Sequence, residues 1–327
     1  MPPANRKNPV RAKSSQSLYS VHEFRRDFPD DEACLQWLWR ERYSPDGENA
    51  YCPKCETARV FKRYETKQQR QSWTCTGCGH HLHPTAGTIF HKSSRPLTDW
   101  FYVMFLVAST RCGISAKQVE RELGCNYKTA WRMLNLVRNR LMAQDYLGQL
   151  GGKVEADETF VGGKPREVHY RIMREQGIEP KSPESRAWHA ARKQTVFAAV
   201  ERKGRVRAQV VPSSKAHVVR GKVGEFVLPS SIVYTDDYKG YDNIGFQRRY
   251  VHRRIQHHAR IYVDGDTHTQ TVEGFFSLVK NGIRGVYHSV SAKWLQGYVN
   301  EYVWRYNHRD DDEAMFKRLI VSSAMTR

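Results

Sequence analysis

Two cysteine pairs constrain this chain more than anything else in it: CPKC at 52–55 and CTGC at 75–78, with nineteen residues between them. Each Cys-x-x-Cys pair turns tightly enough to aim two thiolates at one point, and two such knuckles close a tetrahedral sulfur shell that suits zinc. Residues such as Val60, Phe61 and Trp73, with glycines after the second pair, fit short hairpin strands. Cys52, Cys55, Cys75 and Cys78 are therefore the expected ligands of a structural zinc ribbon over residues 47–90. Four sulfurs leave no open coordination position, so no catalysis is expected there. His80, His81 and His83 lie close by as substitute ligands, although four thiolates suffice. A redox role would need a strand-and-helix context that the neighbouring residues lack. Seven cysteines are an odd number for a disulfide framework, and Cys34, Cys112 and Cys125 read as buried small hydrophobes.

The charge balance names a kind of partner. Fifty-three Lys and Arg against 34 Asp and Glu leave a net charge of +19, far from that of an ordinary metabolic enzyme. Such an excess predicts an extended polyanion, nucleic acid first. A membrane surface would attract the same charge, but there is no run of about 18 apolar residues and no signal-peptide pattern, so a soluble cytoplasmic protein is expected. With 327 residues, 39% of them hydrophobic, the chain can hold two or three domains. Residues 1–17 carry Arg6, Lys7, Arg11 and Lys13 without hydrophobic periodicity, and read as a disordered basic arm or a tail without function.

Helical patterns flank the ribbon. In residues 18–46, Leu35, Leu38 and Trp39 recur at helical spacing, predicting one helix preceded by a capped turn. Within residues 91–148, LTDWFYVMFLVASTRCG reads as a buried helix too short to span a bilayer. ISAKQVERELGCNYKTAWRMLNLVRNRL then offers Ser115 as one helix cap, Gly124 as a left-handed turn and Asn126 as a second cap. That is the grammar of a helix-turn-helix, with Tyr127, Lys128, Thr129 and Arg132 at the groove-facing start of the second helix. An ordinary antiparallel helix pair has the same grammar.

From residue 149 to 312 the pattern changes to strands and helices. KVEADETFVGG reads as a strand with Glu155 and Asp157 on one face, TVFAAVERKGRVRAQVV as a hairpin around Lys203 and Gly204, and KAHVVRGKVGEFV as a helix. SIVYTDDYKGYD is a short strand running into two aspartates, and QTVEGFFSLVKNGI starts a late helix. Three strands, a helix, a strand and more helices match an α/β ribonuclease H-like (retroviral integrase-like) fold, in which the first and fourth strands are neighbours. An acid from each of those strands and one from the late helix can then converge on hard cations suited to phosphodiester chemistry. On the late helix, Glu273 and Lys280 stand two turns apart on one face, where an isolated pair would read as a solvated ion pair.

These pieces resemble the DDE transposases of bacterial insertion sequences, in the family joining an N-terminal zinc ribbon to a ribonuclease H-like domain. The resemblance runs from about residue 20 to 310, through CPKC and CTGC, VEADETFVGGK, VYTDDYKGY, VDGDTHTQTVEGFFSLVKNGIRGVYHSVS and YVNEYVWRYNHR. It implies Asp157, Asp236 and Glu273 as the carboxylates holding two Mg2+ ions, with Mn2+ as a substitute, and Lys280 as a residue gripping a phosphate of the transposon end. It further implies double-stranded DNA as partner and a homodimer or larger assembly on DNA. Asp237 competes with Asp236 if the strand register slips by one. Glu155 and Glu158 flank Asp157, Glu158 as an auxiliary ligand or a turn cap; Asp264 and Asp266 read as turn residues. The histidines from His252 to His268 read as neutral surface groups. Residues 164–193, with eight Lys or Arg against four Asp or Glu, form a basic insertion that reads as a DNA clamp or a flexible loop, and 313–327 as a C-terminal tail. A nuclease of the same fold without strand transfer, and a zinc-ribbon regulator with an inactive second half, are the rival functions.

Overall fold

The computed structural model of the chain describes residues 18–64, 72–144, 148–162, 167–190, 192–245, 249–256 and 265–325. The basic arm at 1–17, Asp264 and the middle of the histidine run lie outside these residues. The chain divides into two compact units, residues 1–144 with 308–327, and residues 145–307.

The first unit opens with two helices, α1 (Val21–Asp27) and α2 (Asp31–Arg42), where the sequence predicts one. Two form because Pro29 has no N–H to continue a ladder and each helix has its own cap. Ser20 makes a reciprocal capping box with Glu23, and Asp30 accepts from Ala33 N at 2.8 Å. The ribbon follows as an antiparallel sheet in chain order, β1 (Asn49–Cys52), β2 (Thr57–Tyr64), β3 (Ser72–Cys75) and β4 (His81–Leu82). Ala50, Cys52, Phe61, Trp73 and Cys75 form its buried side. That side packs on α2, where Trp39 stacks on Trp73 with ring centroids 4.6 Å apart. Helix α3 (Leu97–Ser109) buries Trp100, Phe101, Val103, Met104, Phe105 and Val107. Helices α4 (Ala116–Leu123) and α5 (Tyr127–Leu136) are separated by Gly124 at φ +57°. Ser115 accepts from Gln118 N at 3.1 Å and Asn126 from Thr129 N at 2.8 Å, so all three punctuation residues act as their chemistry predicts.

The second unit is an α/β layer structure. It runs β5 (Lys153–Val161), α6 (Glu167–Glu175), α7 (Pro183–Ala190), β6 (Gln194–Glu201), β7 (Val206–Val211), α8 (Ala216–Phe226), β8 (Ile232–Thr235), β9 (Val251–Arg254), α9 (Gln270–Gly282) and α10 (Leu295–Asn307). The sheet order is β7-β6-β5-β8-β9. Strands β5, β6 and β7 form an antiparallel meander, while β8 lies parallel to β5 and β9 parallel to β8. The polar strand β9 escapes sequence reading because VHRR lies at an edge and shows no apolar alternation.

Alternation along β5 divides the core. Val154 and Ala156 pack with Val219, Val223 and Phe226 of α8. On the other side Val161, Val196, Ala198 and Val200 pack with Phe275 and Val279 of α9 and Val299 of α10. Helix α10 also protects edge strand β7: Asn307 Oδ1 accepts from Val206 N at 2.8 Å, and Gln296 Oε1 from Val210 N at 2.8 Å. Residues 164–193, read as a clamp or loop, hold the two helices α6 and α7, with Met173 fully buried. The C-terminal stretch forms α11 (Met315–Met325) in the first unit, where Phe316 meets Phe24, Phe28 and Phe105 edge to face. Among the described residues no helix is long and apolar enough to cross a membrane.

Candidate functional site

The cysteines come together because β1 ends on Cys52 and β3 ends on Cys75, so each knuckle starts where a strand stops. The Sγ atoms of Cys52 and Cys78 are 3.5 Å apart and those of Cys55 and Cys75 3.9 Å, and all four lie within 4.8 Å of one another. Sulfurs bound tetrahedrally at ~2.3 Å from zinc stand roughly 3.8 Å apart, so this cluster can hold a structural zinc ion. The thiols share their protons unevenly. Hydrogen bonding with Cys78, then burial, pushes Cys55 up to about 12. Burial also raises Cys75, yet the backbone N–H groups of Cys78 and Gly77 bring it down to about 7. His81 is exposed and within 3.1 Å of the Ser72 and Thr74 hydroxyls, outside the sulfur cluster. Of the other cysteines Cys34 is buried and Cys125 half-buried; Cys112, expected inside, is exposed in the turn after α3.

The three candidate acids of the second unit come from elements far apart in sequence. Asp157 is half-buried on central strand β5, and Asp236 is the first residue beyond β8. The parallel register sets Glu155 opposite Tyr234, so two residues further along Asp157 comes abreast of Asp236. Glu273 stands exposed in the first turn of α9. Burial, followed by the charges of Asp236, Glu158 and Glu273, holds the Asp157 proton well above the usual carboxylate range. Glu158 is raised as well, by burial and by Asp236, although it accepts the Tyr241 hydroxyl. Burial and these carboxylates in turn raise Tyr241. Crowded carboxylates of this kind are what a hard divalent cation relieves. Among the described residues only the four cysteines bring three or more candidate ligand atoms within 4.8 Å, so at least one separation among the three acids is wider.

Helix α9 carries both Glu273 and Lys280. Seven residues advance about 10 Å along a helix, and the Glu273 carboxylate accepts the Thr269 hydroxyl at 2.9 Å. Lys280 is half-buried on the same helix. Phe275, Phe276 and Val279 anchor α9, while Leu278 is 52% exposed.

The N-terminus of α9 shows what the sequence conceals. Its N-cap Thr269 makes no capping hydrogen bond of its own. Glu155, fully buried on β5, instead accepts from Thr271 N at 2.7 Å and Val272 N at 3.1 Å through Oε2. Its Oε1 accepts from Thr271 Oγ1 at 2.9 Å and Arg202 Nε at 2.7 Å. Asp266, read as a turn residue, pairs with Lys153 at 2.8 Å and Arg202 at 2.7 Å. The hydrogen bonds from Lys153 and Tyr234 hold its carboxyl at about 2. Arg202 carried no sequence signal beyond its charge. His252, expected at the surface, is half-buried, 2.9 Å from Thr235 Oγ1, and burial with Arg254 nearby brings it down to about 4, neutral as expected.

In the first unit Tyr127, Lys128 and Arg132 are exposed on α5, Lys128 and Arg132 one turn apart, while Ala130, Met133 and Leu134 are buried. In the insertion, Arg171, Arg186 and Lys193 are exposed, and the Arg192 guanidinium lies 3.1 Å from the Trp188 ring centroid.

Comparison with known proteins agrees with this architecture. Residues 149–307 match the family model described as ISXO2-like transposase domain. The chain is 29% identical over 255 residues to an uncharacterized protein in transposable element ISH50 of Halobacterium salinarum, covering 76% of this chain and 83% of that protein. It is 24% identical over 123 residues to an uncharacterized transposase-like protein of Haemophilus influenzae, covering 37% of this chain and 98% of that one.

Proposed function

We propose that the chain, whose residues 149–307 match the ISXO2-like transposase domain, is an insertion-sequence transposase that binds its element's terminal inverted repeats and catalyses Mg2+-dependent DNA cleavage and strand transfer. The observation that carries this reading is the crowding of Asp157 by Asp236, Glu158 and Glu273 on a sheet arranged as in a ribonuclease H-like fold. Asp157, Asp236 and Glu273 are the residues that would hold two Mg2+ ions. When bound, such ions make a water or a 3'-hydroxyl nucleophilic and stabilise the leaving oxygen.

The protein's own residues do the rest. Asp236 is favoured over Asp237 because its charge bears on both Asp157 and Glu158. Tyr241 holds Glu158 by a hydrogen bond, making it a support at the edge of the acid cluster. Lys280, along the helix from Glu273, would grip a DNA phosphate as a point charge. The helix-turn-helix α4–α5 would present Lys128 and Arg132 to DNA, with the ribbon beside it in sequence serving the same end recognition. The basic helices of 164–193 add phosphate contacts. Two ends must be joined, so a homodimer or larger assembly on DNA follows, acting in the cytoplasm wherever the element resides.

The test is to incubate a pre-cut end with supercoiled target plasmid and Mg2+. Joined products are expected, and hydrolysis without joining would favour a nuclease of the same fold. Asp157→Ala should bind end DNA as the unaltered chain does while cleavage and joining fall by about a thousandfold. Full activity in that variant would sink the assignment.

A further inference from the structure

Glu155 lies two residues before Asp157 on the same face of β5, and Thr271 lies two residues before Glu273 on α9. One buried carboxylate joins the two positions, which are 116 residues apart in sequence, by taking both the backbone N–H and the hydroxyl of Thr271. We infer that Glu155, together with Arg202, is a positioning residue that sets where Glu273 stands relative to Asp157; this rests on the metal-dependent reading proposed above.

A helix start needs acceptors for its first N–H groups, and a local Ser, Thr or Asp normally supplies them. A local cap would leave α9 able to shift against the sheet. Here the cap is delivered from the strand that bears Asp157, and its negative charge suits the positive end of the helix dipole. The cap is itself held. Arg202, following β6, donates from Nε to Glu155 at 2.7 Å, from Nη1 to the Asp266 carbonyl and carboxylate, both at 2.7 Å, and from Nη2 to the His268 carbonyl at 2.9 Å. Its guanidinium also lies 3.9 Å from the ring centroid of Tyr234, on the strand that ends just before Asp236. The pair therefore touches the strand of the first acid, the strand of the second, and the segment leading into the helix of the third. With the α9 backbone so fixed, side-chain rotation at Glu273 is the adjustment that remains for it to meet the aspartates.

The experiment uses the full chain with Glu155→Gln, which keeps the volume and one carbonyl oxygen but loses the charge and one acceptor. Hydrogen exchange of the Thr271 and Val272 amides should be slow in the unaltered chain and faster in the variant. Cleavage of a duplex bearing the terminal repeat should fall by about a hundredfold, the scale of an ångström-sized misplacement. The Mg2+ concentration for half-maximal cleavage should rise several-fold while affinity for the duplex is kept. Glu155→Gln/Arg202→Met removes both charges of the buried pair; melting temperature should recover in it and cleavage should not, whereas a merely structural pair would restore both. Should Glu155→Gln fail to fold, Thr271→Val, which removes one hydroxyl contact, must still shift the Mg2+ dependence. Unchanged exchange at 271–272, or cleavage within about twofold of the unaltered chain at the same Mg2+ dependence, overturns the inference. If the unaltered chain cleaves nothing, the proposed function fails, and the exchange measurement by itself decides the anchoring.

Discussion

Asp157 shows how position changes the chemistry of a residue. Half-buried on its strand and acted on by the charges of Asp236, Glu158 and Glu273, it holds a proton that is hard to remove. The folded chain thus holds that proton more tightly than the unfolded chain. Without divalent cations the fold gains most from it near pH 4 and below, where both states are protonated, and loses stability as pH climbs through the raised value. In chelator, melting temperatures of the unaltered chain and of Asp157→Asn should diverge as pH rises above about 4, the ordinary carboxylate value, the variant becoming relatively more stable. Added Mg2+ should narrow the gap. A gap independent of pH would mean that the carboxylates do not crowd one another in solution. Asp157 and Asp236 were visible in the sequence because each follows a hydrophobic strand pattern. Glu155 looked like any flanking acid, since its meaning depends on amides 116 residues away.

At the scale of elements, two contacts carry measurable consequences. Helix α9 approaches α10 closely at Gly282, where an added Cβ would stand 1.4 Å from Tyr302 Oη. Gly282→Ala should lower stability by about 1–3 kcal/mol through forced repacking. Tyr302→Phe in the same chain should recover part of that loss, and calorimetry of the two variants checks it. In the ribbon, the Trp39–Trp73 stack at 4.6 Å is a built-in reporter of the sulfur cluster. Mass spectrometry should find one zinc per chain, lost on chelation together with the near-ultraviolet circular dichroism of that stack. Because the ligands must be thiolates, zinc should also dissociate as pH falls. Retention of the tryptophan signal in chelator would show that the ribbon stands without metal. The caps at Ser115 and Asn126 were legible because capping is local, whereas the division of the first helical stretch into α1 and α2 turns on Pro29 and a separate cap for each helix.

At the scale of the whole molecule, the chain leaves its first unit at residue 144 and returns to it at 308. The return matters because Phe316, 2% exposed, packs into the aromatic group of Phe24, Phe28 and Phe105. Deleting residues 308–327 should therefore destabilise the first unit by about 3–5 kcal/mol or more, the scale of losing one large buried aromatic. The transition of residues 145–307 should stay in place. Two calorimetric transitions that fell together would contradict this division. Residues 313–327 read as a tail in the sequence because an amphipathic helix pattern does not say which distant surface will cover it.

What the sequence determined by itself was whatever short-range chemistry dictates: the thiolate knuckles, the caps and turn of α4 and α5, the alternating strands, and the acids at Asp157, Asp236 and Glu273 as candidates. Side-chain spacing and backbone propensity act over a few residues, and a reader of the chain has both. Only the tertiary structure decided that Glu155 caps α9, that Arg202 clamps Asp266, that Leu278 faces water and that Cys112 lies exposed. Each of these depends on which distant surface shares the space around a side chain, and that is settled when the sheet and helices pack.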